Sequence, residues 1–205
     1  MRPAEAANPF FNMDDMDNME TSPMRDHPER FAAWHACVAR QLDAGRSADL
    51  QDDEYRSWAY EVYCRHGEIP EAAFADLLHL RQLRLVERAL KPLADQVLRS
   101  GGPGEAPEPY AESPGEQFPT GLVNVGDERI GSFLWQEIVV DVGRGVQAHV
   151  AEARGKLWPV CPEHGRGLHA AATGGRAGWW CLVTDHLVAW VLDPEPAPDP
   201  SALLR

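Results

Sequence analysis

The stretch SGGPGEAPEPYAESPGEQFPT, residues 100–120, constrains this chain more than any other feature. It is rich in Pro, Gly and Glu and offers almost nothing to bury, so it reads as a linker. Before it the apolar residues follow helical spacing; after it they give way to one further helical pattern and short β-type runs. The expected fold class is therefore α+β: an antiparallel three-helix unit at 27–99, the linker at 100–120, and an αβββ module at 121–192. Residues 1–26 make an acidic, Met-rich tail and residues 193–205 a Pro-rich one. Neither has the apolar density for a core, and both are expected to be disordered.

Within the helical unit, Phe31, Trp34, Val38 and Leu42 recur at helical spacing, with Gly45 as a stop. A second helix starts near Asp52 and carries Tyr55, Trp58, Ala59, Val62 and Tyr63 up to Gly67. A third starts at Pro70, carries Phe74, Leu77, Leu78, Leu85 and Val86, and meets Pro92, where a kink or break is expected. Beyond the linker, Ser132 is a candidate cap for a helix bearing Trp135, Ile138, Val139, Val142, Val146 and Val150. Val139 and Val140 with nearby Gly143 and Gly145 would also suit a strand followed by a shorter helix, but the helix is the preferred reading. Three strands are expected at 167–172, 177–183 and 187–192, joined by turns at Thr173-Gly174-Gly175 and Thr184-Asp185-His186. They make a three-stranded β-meander resembling a degenerate zinc ribbon.

Charge narrows the partners. The formal net charge is −13 and the pI about 5.0. Duplex binders neutralise phosphates with a basic stripe, and no Lys/Arg cluster of that kind stands out, so nucleic acid is not expected as a ligand. Anionic membranes are disfavoured for the same reason, and a basic protein partner is favoured. No apolar run approaches the roughly 20 residues that span a bilayer. The opening MRPAEAANPFFNMDD turns acidic where a signal peptide needs an apolar core, so a cytoplasmic location is expected. There, Cys37, Cys64, Cys161 and Cys181 are better read as thiols or metal ligands than as a disulfide framework. Two lysines against 17 arginines point to a GC-rich bacterial genome.

The strongest chemical signal is Cys161-Pro162-Glu163-His164-Gly165. Two ligands with two residues between them, followed by a glycine that lets the backbone curl round an ion, make a zinc knuckle, and Cys/His mixtures suit Zn²⁺. A ribbon needs a second pair from a facing hairpin. Cys181, in Trp179-Trp180-Cys181, supplies one ligand, and Thr184 stands where its partner should be. The fourth position falls to His169, Asp185, His186 or water, with His169 taken as the fourth member of the candidate metal set. Three readings follow: a structural Zn²⁺, a metal-free turn whose Cys and His pack at the base of the meander, or a catalytic metal with an open position. No general base stands out near the knuckle beyond Glu163 within it. A Cys161–Cys181 disulfide is the oxidised alternative.

The segments Trp158-Pro159-Val160-Cys161-Pro162-Glu163-His164-Gly165 and Gly175-Arg176-Ala177-Gly178-Trp179-Trp180-Cys181 resemble the ending of a group of uncharacterised small bacterial proteins. Their pattern is W-P-x-C-P-x-H followed by a hairpin ending W-x-C-P. The resemblance covers residues 135–190 and departs at Leu182, where the group has proline. It implies a recurring αβββ module with three Cys/His positions and no assigned activity.

All five methionines fall within the first 24 residues. Phe10, Phe11, Met13, Met16 and Met19 alternate with Asp14, Asp15, Asp17 and Glu20, which suits an adaptable segment docking on a basic partner. His35, His66 and His79 belong to no HExxH, GxSxG, P-loop or Rossmann pattern. Cys37 and Cys64 read as small buried thiols, and Trp34 and Trp58 as core anchors. The leading expectation is a non-enzymatic protein-binding or adaptor protein. The alternatives are a metal-dependent enzyme using Cys161, His164 and Cys181, and an acidic inhibitor or immunity-type protein supported by charge alone.

Overall fold

The computed structural model describes residues 28–42, 49–102 and 106–192. The acidic segment with Phe10, Phe11, Met13, Met16 and Met19, the stop at Gly45 and the tail from 193 lie outside the described residues. Helix α1 (Pro28–Leu42) buries Phe31, Trp34, Val38 and Leu42, the side chains that set its period. Helix α2 (Asp53–His66) follows a short 3₁₀ turn (Asp49–Gln51). The Asp52 carboxylate accepts from the Glu54 N–H at 2.8 Å, and Gly67 closes the helix at φ 73°, donating to the Tyr63 carbonyl.

Helix α3 (Glu71–Arg99) is not broken at Pro92, which lies inside it. A mid-helix proline costs about 3 kcal/mol. Leu85, Val86, Ala89 and Leu90 before Pro92 and Leu93 and Val97 after it are all buried in one core. Burying several such side chains, each contributing roughly 1.5–3 kcal/mol, outweighs that cost.

The stretch read as a linker holds a strand. Residues Pro109–Glu112 (β1) pair antiparallel with Leu122–Val125 (β2), which pairs in turn with Glu128–Arg129 (β3). Gly126, at φ 58°, makes the tight β2–β3 turn with Asp127. Val123, Val125 and Ile130 enter the core that contains the second half of α3. The composition of 100–120 hides this strand because β1 itself buries almost nothing; it is held by backbone pairing to β2.

Helix α4 (Trp135–Arg154) is a single helix, which resolves the strand-plus-helix alternative. Its glycines mark close approaches. A Cβ on Gly145 would stand 2.4 Å from the Val125 carbonyl oxygen, and one on Gly143 would stand 3.3 Å from Trp179. The helix thus touches the first sheet at Gly145 and the second at Gly143. That second sheet is a meander of β4 (His169–Thr173), β5 (Arg176–Cys181) and β6 (His186–Trp190), in the order β4-β5-β6.

Two cores result, and they do not divide at residues 100–120. One joins α1, α2 and the first half of α3 with Phe133 and Leu134. The other joins the second half of α3 to α4 and both sheets. Helix α3 is shared, so the helical unit and the C-terminal module have no clean boundary between them. Polar groups seal the junction. The Glu54 carboxylate accepts from the Trp135 N–H, at 3.2 Å to each oxygen, and pairs with buried Arg81 at 2.7 Å. Arg81 also donates to the Phe133 carbonyl, and Gln82 donates to the carbonyls of Ile130 and Ser132. Ser132 stands two residues before the Leu134 N-cap; its hydroxyl accepts from the Leu134 N–H and donates to Asp49 at 2.6 Å. Among the described residues, no helix is long and apolar enough to cross a membrane.

Candidate metal centre

The knuckle lies between α4 and β4. The Gly165 N–H donates to the Cys161 carbonyl at 2.9 Å, and Gly165 adopts φ 62°, so the chain reverses within five residues. The Cys161 N–H donates to the Arg166 carbonyl at 2.8 Å, and Val160 bridges Gly167 just before β4. Trp158 sits edge-on against Trp179, with ring centroids 5.7 Å apart, and anchors the loop to the meander. The Gln147 amide on α4 donates to the carbonyls of Trp158 and Leu168 and pins both ends of the loop.

Opposite the knuckle stands the β5–β6 hairpin. Cys181 and His186 are direct cross-strand partners, and such partners share one face of a sheet. Both therefore face the knuckle. The result is a group of four, Cys161, His164, Cys181 and His186, whose ligand atoms all lie within 4.8 Å of one another. His164 Nδ1 lies 3.4 Å from each sulfur, and His186 Nε2 lies 3.9 Å from Cys161 Sγ. With Zn–S near 2.3 Å and Zn–N near 2.0–2.1 Å, a tetrahedral S···N edge is roughly 3.5 Å. The observed separations of 3.4 and 3.9 Å straddle that value. Both sulfurs are fully buried and both imidazoles half-buried.

His169 does not belong to the group. It pairs across β4–β5 with Trp180, not Cys181, so strand alternation directs it to the opposite face, where it is exposed. Asp185, at φ 50°, forms the hairpin turn and is exposed. Glu163 is exposed on the knuckle and outside the group. His186, one of the alternatives in the sequence, is the fourth member.

Thr184, where a second ribbon cysteine would stand, has a different role. Its Oγ1 lies 2.7 Å from His186 Nδ1. With Nδ1–H donating to that hydroxyl, the Nε2 lone pair points at the sulfurs, the tautomer a metal ligand requires. Burial pushes the Cys161 thiol up. Hydrogen bonding to the His164 side chain, to the His164 and Glu163 backbone N–H groups and to Cys181 outweighs that and brings it down to about 7. A thiolate is thus accessible near neutral pH, and thiolate is the form that ligates.

The other residues singled out in the sequence do not converge on a site. His35 stacks on Phe31 in the helical core and His79 is buried on α3; burial lowers the basicity of both. Trp34 and Trp58 are core anchors, as expected. Cys37 is exposed and Cys64 half-buried, contrary to the expectation of buried thiols, because each falls off the apolar stripe of its helix. All four cysteines are free. Compared with family models, curated proteins and solved structures, the chain matches none.

Proposed function

We propose that this chain is a non-enzymatic protein-binding protein whose β4–β6 module is clipped by a structural Zn²⁺ held by Cys161, His164, Cys181 and His186. One observation carries the reading: four Cys/His ligand atoms already lie within 4.8 Å of one another. Structural zinc sites are closed, four-coordinate and tetrahedral, whereas catalytic sites keep a position for water or substrate. Here His186 stands in that position, which takes support from an enzyme using Cys161, His164 and Cys181. Two sulfurs and two imidazoles are also the donor softness that favours zinc over magnesium or calcium. The bound ion would join the 161–165 knuckle to the β5–β6 hairpin and fix the surfaces around them. Free thiols fit a reducing cytoplasm.

Metal analysis of protein purified without chelators tests this. About one equivalent of zinc is expected, falling to background in Cys161→Ser and in His186→Ala. Full retention of zinc by His186→Ala would show the fourth position open and return the enzyme reading. Absence of zinc from the parent after growth in zinc-replete medium would leave a metal-free turn.

A further inference from the structure

The two sulfurs of the candidate metal centre reach it from opposite sides. Cys161 belongs to the knuckle and Cys181 ends β5, yet the two side chains are hydrogen-bonded to each other, and His164 Nδ1 stands 3.4 Å from each sulfur. Cys37 and Cys64 lie elsewhere, on α1 and α2. A zinc ion with Zn–S near 2.3 Å holds two sulfurs roughly 3.8 Å apart, and a disulfide needs about 2.05 Å. Bonding the pair therefore asks each sulfur to move by roughly 0.9 Å. Because the group holds two cysteines and two histidines, one disulfide can form in it.

The surroundings select the product. Both sulfurs are fully buried, and the half-buried imidazoles of His164 and His186 are the members of the group that solvent reaches. Once one sulfur is oxidised, it meets the neighbouring thiolate before a second oxidant, so a sulfenic acid is captured as a disulfide and not carried on to sulfinic acid. A disulfide sulfur has no charge and is a poor ligand, which leaves two imidazoles where zinc wants four donors. The loop has anchors besides the ion. Gln147 donates to carbonyls at both of its ends, Trp158 packs edge-on against Trp179, and Val160 bridges Gly167. The new bond also joins the same two segments that the ion joins, so the fold is expected to survive the exchange.

We infer that Cys161 and Cys181 form a reversible oxidation site, at which hydrogen peroxide converts the pair to a disulfide and zinc leaves. One thiolate attacks a peroxide oxygen: an S–O bond forms, the O–O bond breaks, and the departing hydroxide takes a proton to become water. The other thiolate attacks that sulfur: the S–S bond forms, the S–O bond breaks, and a second hydroxide departs and is protonated likewise. The two sulfurs together lose two electrons and the peroxide gains them. A dithiol restores both thiols by exchange, and zinc re-enters. In a reducing compartment such a disulfide is transient, as redox-sensing pairs are. The inference rests on the zinc reading.

Treating the zinc-loaded, full-length protein with hydrogen peroxide tests it. Retained zinc is measured by metal analysis after desalting, and the cysteines are mapped by mass spectrometry. Trypsin cuts at Arg166 and Arg176, so Cys161 and Cys181 fall in separate peptides unless linked. The expected result is about one Cys161–Cys181 link for each zinc lost, an unchanged circular dichroism spectrum, and recovery of both thiols and the zinc after dithiothreitol and zinc are added. Zinc retained at a peroxide dose that oxidises the exposed Cys37, sulfinic acid at Cys161 or Cys181 in place of the link, or links mainly to Cys37 or Cys64 would overturn the inference and leave the zinc site standing. Protein that holds no zinc before treatment would remove the zinc reading, and the inference with it.

Discussion

Removing the Glu54 side chain should cost more than any single surface contact, because it strips two groups of their partner at once. The Arg81 side chain is 3 % exposed and Glu54 27 % exposed, with 2.7 Å between them. The same carboxylate receives the first N–H of α4 from Trp135. Burial pushes the Arg81 guanidinium down, and the Glu54 carboxylate is the first influence restoring it. Breaking a buried pair by removing one partner costs about 3–5 kcal/mol. Arg81 keeps the Phe133 carbonyl in Glu54→Ala, which puts the loss at the lower end of that range. Losing a carboxylate at a helix N-terminus adds about 0.3–1 kcal/mol. The expected destabilisation is thus about 3–4 kcal/mol, which for a chain of this size is a fall in Tm of roughly 6–15 °C. Urea unfolding followed by circular dichroism measures it. Because an uncompensated buried charge causes the loss, Glu54→Ala with Arg81→Met should recover at least half of it. A single variant within about 1 kcal/mol of the parent, or a double variant no better than the single, would refute the reasoning.

Three further outcomes follow from the geometry. Thr184→Val should weaken zinc binding about 10–100-fold, the usual cost of losing a partner that orients a ligating histidine; competition with a chromophoric chelator reads it, and Thr184→Ser should restore the affinity. Gly145→Ala should destabilise by about 1–3 kcal/mol through overpacking, since the new methyl would meet the Val125 carbonyl oxygen at 2.4 Å; thermal unfolding measures the loss. In metal-free protein the Cys161 thiol is lowered to about 7 from 9.0. The unfolded chain then holds the proton over a range where the folded chain has released it, so this thiol's contribution is complete above the unfolded value and lost as pH falls through about 7. Chelator-treated protein should therefore gain urea resistance between neutral and alkaline pH, and Cys161→Ser should lose that gain.

Local signals determined much of the fold. The spacing of Phe31, Trp34, Val38 and Leu42, the Asp52 cap and the Gly67 stop depend on residues a few positions apart, and the first two helices follow them. The turns at Gly174-Gly175 and Asp185 likewise mark the meander from within. Three members of the candidate metal centre were legible: Cys161 and His164 because a knuckle is a local turn, and Cys181 because it ends the facing Trp179-Trp180-Cys181 run. The fourth is a matter of register. Whether His169 or His186 faces Cys161 depends on which residue pairs with Cys181, and only the β4–β5 and β5–β6 ladders decide that. Tertiary structure also decided that α3 survives Pro92, that Gly143 and Gly145 are contact points and not breaks, and that 109–112 is a strand. In each case burial or pairing with residues distant in sequence supplies free energy that no local window contains. The Pro/Gly-rich stretch thus bounds the helical pattern in sequence, while in the folded chain a core shared through α3 runs across it.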